Sequence, residues 1–155
     1  MTHPRQLSPA ERRVLWYQAH GVTDTRAAEL MQRSPATIAA YRTNAYISLG
    51  VHTAPAAVHV AYSTNLIPLP QDPDGPPPDP VTPREWQILV QLAGGGTITT
   101  MADQLKLAET TVKTHMSRLY RRLGARSGAH AVGIGHRERL LSCCPTCGLS
   151  RIEAS

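Results

Sequence analysis

The chain contains one stretch of sequence twice. Shifted by 74 residues without a gap, Ser8-Pro9-Ala10-Glu11 falls on Thr82-Pro83-Arg84-Glu85, Leu15 on Leu89, Gly21 on Gly95 and Thr37 on Thr111. Tyr46 then meets Tyr120, Leu49-Gly50 meets Leu123-Gly124, and Ala57-Val58 meets Ala131-Val132. Solenoid repeats have shorter periods. Between the copies, Pro68 to Pro80 holds seven prolines in thirteen residues, with three Asp and no base. Such a segment lacks backbone donors and fixes φ, so it reads as a stiff, largely polyproline-II spacer of about 40 Å at ~3.1 Å per residue. The pattern is therefore a tandem duplication of one compact domain. The expected boundaries are 1–67 for a first, degenerate domain, 68–80 for a Pro-rich linker, 81–141 for a second domain, and 142–155 for a Cys-containing tail. Whether the spacer holds the units apart or lets them dock is left open.

Each copy reads as four helices and no strand. Ser8 or Thr82 caps the first, with proline at the first helical position and Glu11 or Glu85 placed to close a capping box. Gly21 or Gly95 ends it, being free to adopt a left-handed conformation. Thr23 or Thr97 caps a short second helix through Met31 or Leu105. After a brief turn, Gln32-Arg33 or Lys106-Leu107, a third helix runs to Leu49 or Leu123 and stops at Gly50 or Gly124. Thr53 or Ser127 caps a fourth, ending near Ile67 or Leu141. Ala108 stands where the first copy has the N-cap Ser34, which forgoes about 1 kcal/mol of capping. A helix, a short turn and a second helix of this size make a helix-turn-helix, so the fold class is all-α, two four-helix units joined by the linker.

Pro-x-Glu opening a helix, Ala102-Asp103-Gln104-Leu105, Thr111-Val112-Lys113-Thr114-His115 and Leu123-Gly124-Ala125-Arg126-Ser127 together resemble the LuxR-type (GerE-like) DNA-binding domain. The resemblance covers nearly all of 81–141. It is looser over 7–67, where Thr37-Ile38-Ala39-Ala40-Tyr41 stands in place of the usual Thr-Val-Lys-x-His. It implies a third helix that enters the DNA major groove and a fourth that often forms a dimer contact. Members usually carry a separate sensing domain, for which this length leaves no room.

The residues support the same reading independently. Residues 7–67 carry five Arg against three acids, while 81–141 carry nine bases against four. With Val112 at the origin of a helical wheel at ~100° per residue, Met116, Leu119 and Leu123 fall within about 40° and form the buried stripe. The far side presents Thr110, Thr114, Ser117, Arg118 and Arg121, with Lys113 on the shoulder. Lys113, Thr114 and Ser117 lie near the helix start, where base edges are read. Arg118, Arg121, Arg122 and Arg126 suit phosphates. In the first copy the equivalent face is Ala36, Ala39, Ala40, Thr43, Asn44 and Ile47, with no Lys or Arg. That face is either a weak DNA reader touching thymine methyls or a protein-contact surface. Arg42 falls on the buried stripe where Met116 sits and must snorkel or find a partner. Packing is the expected role of His115, Tyr46, Tyr120, Trp16 and Trp86.

In the tail, Cys144-Pro145-Thr146-Cys147-Gly148 resembles half of a zinc knuckle; a redox-active or dimer-linking thiol pair and an inert or disordered tail are the other readings. Zinc there would need further ligands, such as His136, His130 or a second chain. No other cofactor is expected. There is no glycine-rich phosphate loop, acid pair or Ser/His/Asp trio, so the chain is read as a non-enzyme. No apolar run nears the ~20 residues of a membrane span, and an odd three cysteines suit a reducing cytosol. The expected function is a cytoplasmic, nucleoid-bound regulator recognising specific double-stranded DNA. A homodimer or an intramolecular pseudo-dimer would supply two half-sites. The competing reading is an adaptor that binds RNA polymerase or another regulator.

Overall fold

The computed structural model describes residues 6–68 and 79–141, and all regular structure among them is helical. The first copy comprises α1 (Pro9–Ala19), α2 (Asp24–Met31), α3 (Pro35–Leu49) and α4 (Ala54–Ser63). The second comprises α5 (Pro83–Ala93), α6 (Ile98–Leu105), α7 (Glu109–Leu123) and α8 (Gly128–Arg137). Every boundary in the second copy lies 74 residues after its counterpart in the first.

The caps account for this agreement. Ser8 Oγ accepts from the Glu11 N–H (3.2 Å) while the Glu11 carboxylate accepts from the Ser8 N–H (3.3 Å), and Thr82 and Glu85 do the same. Thr23, Ser34, Thr53, Thr97 and Ser127 cap their helices through side-chain oxygens, whereas Ala108 supplies no side-chain cap. The eight positive-φ residues described also pair at the same offset: Gly21 with Gly95, Gln32 with Lys106, Gly50 with Gly124, and Asn65 with Arg139. Local backbone geometry is thus duplicated even where the side chains have diverged.

One expectation needs correction. The fourth helices end at Ser63 and Arg137, about a turn before Ile67 and Leu141. Each closes on itself. Leu66 N–H donates to Ala61 O (2.8 Å) and Asn65 N–H to Tyr62 O (3.2 Å). Leu140 N–H donates to Gly135 O (2.7 Å) and Arg139 N–H to His136 O (3.2 Å). These are the paired bonds of a Schellman ending, built on left-handed Asn65 and Arg139 rather than the glycine that would have announced it.

The two units dock. α4 packs along α8, with α1 against α8 and α5 against α4. One apolar core runs through both copies, from Leu15, Val58 and Tyr62 to Leu89, Val132 and Ile134. A second, smaller cluster of Val14, Ala27, Ala28 and Ile38 belongs to the first helix-turn-helix alone. A ~60-residue unit buries only about 60% of its unfolded surface, so a shared core relieves a deficit that each would face alone.

The docking approximates a two-fold axis. Gly21 lies under His130, and their counterparts Gly95 and Ala56 also face each other. A side chain on Gly133 would place its Cβ 2.4 Å from the Ala19 carbonyl oxygen, so α8 reaches α1 only because this residue is glycine. The symmetry breaks at one buried pair, where His59 Nδ1 lies 2.8 Å from His136 Nε2. The residues 74 away from these two are Gly133 and Tyr62.

Candidate nucleic-acid interface

α6, a three-residue turn and α7 form the helix-turn-helix of the second copy. The turn is made by left-handed Lys106 (φ 56°), Leu107 and the N-cap Ala108, and Leu107 N–H donates back to Ala102 O at 3.0 Å. α7 is anchored through Val112, Leu119 and Leu123, all buried, with Met116 partly buried beside them. Its other side carries Thr110, Lys113, Thr114, Ser117, Arg118 and Arg121, every one exposed. Thr114 Oγ1 donates to Thr110 O (3.0 Å), which turns that hydroxyl back onto the helix. Arg126 is exposed in the turn after α7, so it borders the same helix end. Exposed Lys106 adds a cation at the opposite end, a residue that local spacing marks only as part of the turn.

Arg122, expected among the phosphate contacts, is engaged within the fold. Its Nε lies 3.0 Å from both carboxylate oxygens of Glu85, whose side chain is 2% exposed, and its Nη1 donates to Pro80 O at 3.4 Å. Glu85 is also the capping-box residue of α5. Burying its charge requires a cation, and Arg122 is that cation, tying α7 to α5. The wheel places Arg122 on the polar flank but carries no information about the carboxylate opposite.

The first copy presents a different surface. On α3, Ala36, Ala40, Thr43, Asn44 and Ile47 are exposed and Ala39 is partly so. Ile47 is 73% exposed and Leu30, on α2, 47%, where the second copy has Arg121 and Gln104. Arg42 finds the partner it needed in Asp24 on α2. The equivalent positions of the second copy, Ile98 and Met116, are apolar and pack on the core. The first copy thus holds an ion pair at the two positions where the second has apolar side chains.

Of the expected packing residues, Tyr46, Tyr120, Trp86 and His115 are partly buried, while Trp16 is exposed. Tyr46 bonds to Gln18, and burial pushes the phenols of Tyr46 and Tyr120 up. Trp86 Nε1 donates to Leu140 O at 2.9 Å. Trp16 is 37% exposed and stacks on His20. His136 is buried against His59, with one ring nitrogen already engaged. Cys144 and Cys147 lie outside the described residues. Among those described, no three His, Cys, Asp or Glu side chains are grouped to hold a metal, and no helix is long and apolar enough to cross a membrane.

Comparison with known proteins matches the same two units. The family of bacterial regulatory proteins, luxR family (GerE), matches residues 5–61 and again 79–134. Two curated relatives, each named "Probable transcriptional regulatory protein NarL", come from Mycobacterium tuberculosis strains CDC 1551 / Oshkosh and ATCC 25618 / H37Rv. Each is 44% identical over 66 residues, which is 40% of this chain and 31% of the relative. The chain thus spans about a third of the length of those relatives. No solved structure matches it. With both helical units matched and most of the chain covered, the protein belongs to the luxR family of bacterial regulatory proteins.

Proposed function

We propose that the protein is a transcriptional regulator that binds specific double-stranded DNA, with α7 entering the major groove. The observation that carries this is the division of α7. Its apolar stripe packs on the core, with Val112, Leu119 and Leu123 buried, while Lys113, Thr114, Ser117, Arg118 and Arg121 are exposed together on one side. Lys113, Thr114 and Ser117 then read base edges, while Arg118, Arg121 and Arg126 neutralise phosphates. Arg122 is assigned to the fold instead. Membership of a bacterial regulatory family supports the reading, as does the transcriptional role in the name of the M. tuberculosis relatives.

The docked copies support an intramolecular pseudo-dimer in preference to a homodimer through the fourth helix, because α4 and α8 already occupy each other. α3 would then face a neighbouring half-site about one helical turn away, ~34 Å. The described residues are taken up by the two helix-turn-helix units, so within this stretch no separate sensing domain supplies the input. Such a regulator works in the cytoplasm, on the nucleoid.

The test uses a site selected from random DNA, with affinity measured across a range of salt. Lys113→Ala with Arg118→Ala should cost at least about tenfold in affinity and make the log–log salt slope shallower by ~0.9 for each phosphate no longer neutralised. Unchanged affinity and slope would overturn the reading. It would favour the adaptor, which holds RNA polymerase or another regulator. Exposed Ile47 and Leu30, with no cation on the α3 face, are the observations in that reading's favour.

A further inference from the structure

The near-symmetry of the two copies exposes a place where one of them is incomplete. In the second copy Trp86, on α5, reaches across to the segment after α8 and donates its indole N–H to Leu140 O at 2.9 Å. The residue 74 positions earlier is Arg12, and the counterpart of Leu140 is Leu66. Where Trp86 bridges helix and segment, the described residues of the first copy leave a cleft of about 580 Å³ between α1 and the chain after α4. α1 lines it with Arg12, Arg13, Trp16 and Tyr17, and the opposite wall is Leu66, Ile67 and Pro68.

The chemistry of the lining is specific. Trp16 is a large exposed apolar side chain, held by stacking on His20 at 3.8 Å between centroids and by an edge contact to Tyr17 at 5.6 Å. Across from it, partly exposed Leu66 and exposed Pro68 offer an apolar wall. Among the described residues, no carboxylate pairs with Arg12 or Arg13. The volume lies within the ~300–1,000 Å³ of small-molecule sites, which combine apolar walls with a few polar groups that fix orientation.

We infer that this cleft binds a small planar aromatic carboxylate, whose ring takes the place that Trp86 fills in the other copy while its carboxylate pairs with Arg12 and Arg13. A guanidinium presents a fork of N–H donors that matches a carboxylate's two oxygens. An aromatic ring between Trp16 and the prolyl wall gains offset or edge contacts. The inference does not depend on DNA binding, and its failure would leave the regulator reading untouched.

Indole-3-acetate is the direct probe, since it is the Trp86 side chain with a carboxylate added. Titrated into the full chain by calorimetry, it should bind one to one with Kd on the order of 0.1–1 mM, as expected for so few heavy atoms. The neutral indole-3-acetamide should bind at least about tenfold more weakly, because it cannot form the charge-assisted pair. Arg12→Ala with Arg13→Ala should weaken the acid to the level of the amide. Arg12→Trp, which installs the side chain of the second copy at an exposed position, should abolish binding while circular dichroism stays unchanged. Two results would each overturn the inference: no heat or chemical-shift change at several times the expected Kd, or equal binding of acid and amide that survives Arg12→Trp.

Discussion

At the scale of single residues, ionisable side chains decide what wheels and motifs leave open. Arg122 shares a helix with Arg118 and Arg121 and differs from them in facing Glu85. The histidines make a related point. His136 and His130 are pushed down to about 4, first by burial and then by neighbouring charge: His59 acts on His136, and His20, Arg126 and Arg137 act on His130. Burial lowers His59 as well. His130 Nδ1 accepts from the Arg126 N–H at 3.1 Å, a bond that exists only while that nitrogen is unprotonated. Because these values are depressed, the unfolded chain binds protons before the native one does. Stability should be complete above pH ~6.5 and fall as pH drops from there towards about 4. Urea unfolding at a series of pH values checks the sign. His130→Ala, which places the residue of the equivalent position 56, should flatten the profile; an unchanged profile would show that His130 does not titrate across folding.

At the scale of the helix, local sequence is a reliable guide wherever one residue type does the job. Ser, Thr, Pro and Gly set most of the N-caps, several N1 positions and the stops after α3 and α7. It fails at the fourth helices, because Asn65 and Arg139 adopt the left-handed conformation for which glycine is the usual sign. Tertiary contact over-determines that turn, since Leu141 packs into the core behind it. The unfilled cap of α7 gives a direct prediction. Ser34 Oγ accepts from Thr37 N–H at 3.2 Å, and the equivalent Ala108 has the same extended backbone without a side-chain acceptor. Ala108→Ser should raise stability by about 0.5–1 kcal/mol, read as a higher urea midpoint at constant m-value. No gain would mean that the end of α7 is satisfied in another way.

At the scale of the whole molecule, the central fact is that the duplicated units share a core. Gly133 makes the test. A Cβ there would meet the Ala19 backbone oxygen at 2.4 Å, and a main-chain atom cannot turn aside. Gly133→Ala should therefore destabilise by about 1–3 kcal/mol through overpacking, despite alanine's better helix propensity. Loss of docking in the variant would show as a larger radius of gyration by small-angle scattering, or as unfolding that splits into two transitions. A variant as compact and as stable as the parent would show that α8 does not press on α1.

What the sequence determined by itself was the periodic and local part: the 74-residue duplication, the all-α class, most helix starts and stops, and the split of α7 into an apolar stripe and a cationic side. These follow from helical spacing and from residues whose backbone or capping chemistry acts within a few positions. Tertiary structure alone decided that the units dock, that Arg122 serves Glu85, that Arg42 serves Asp24, and that the described residues of the first copy leave a cleft where the second has Trp86. Each of these depends on which side chain arrives from a distant segment, and no local spacing carries that information.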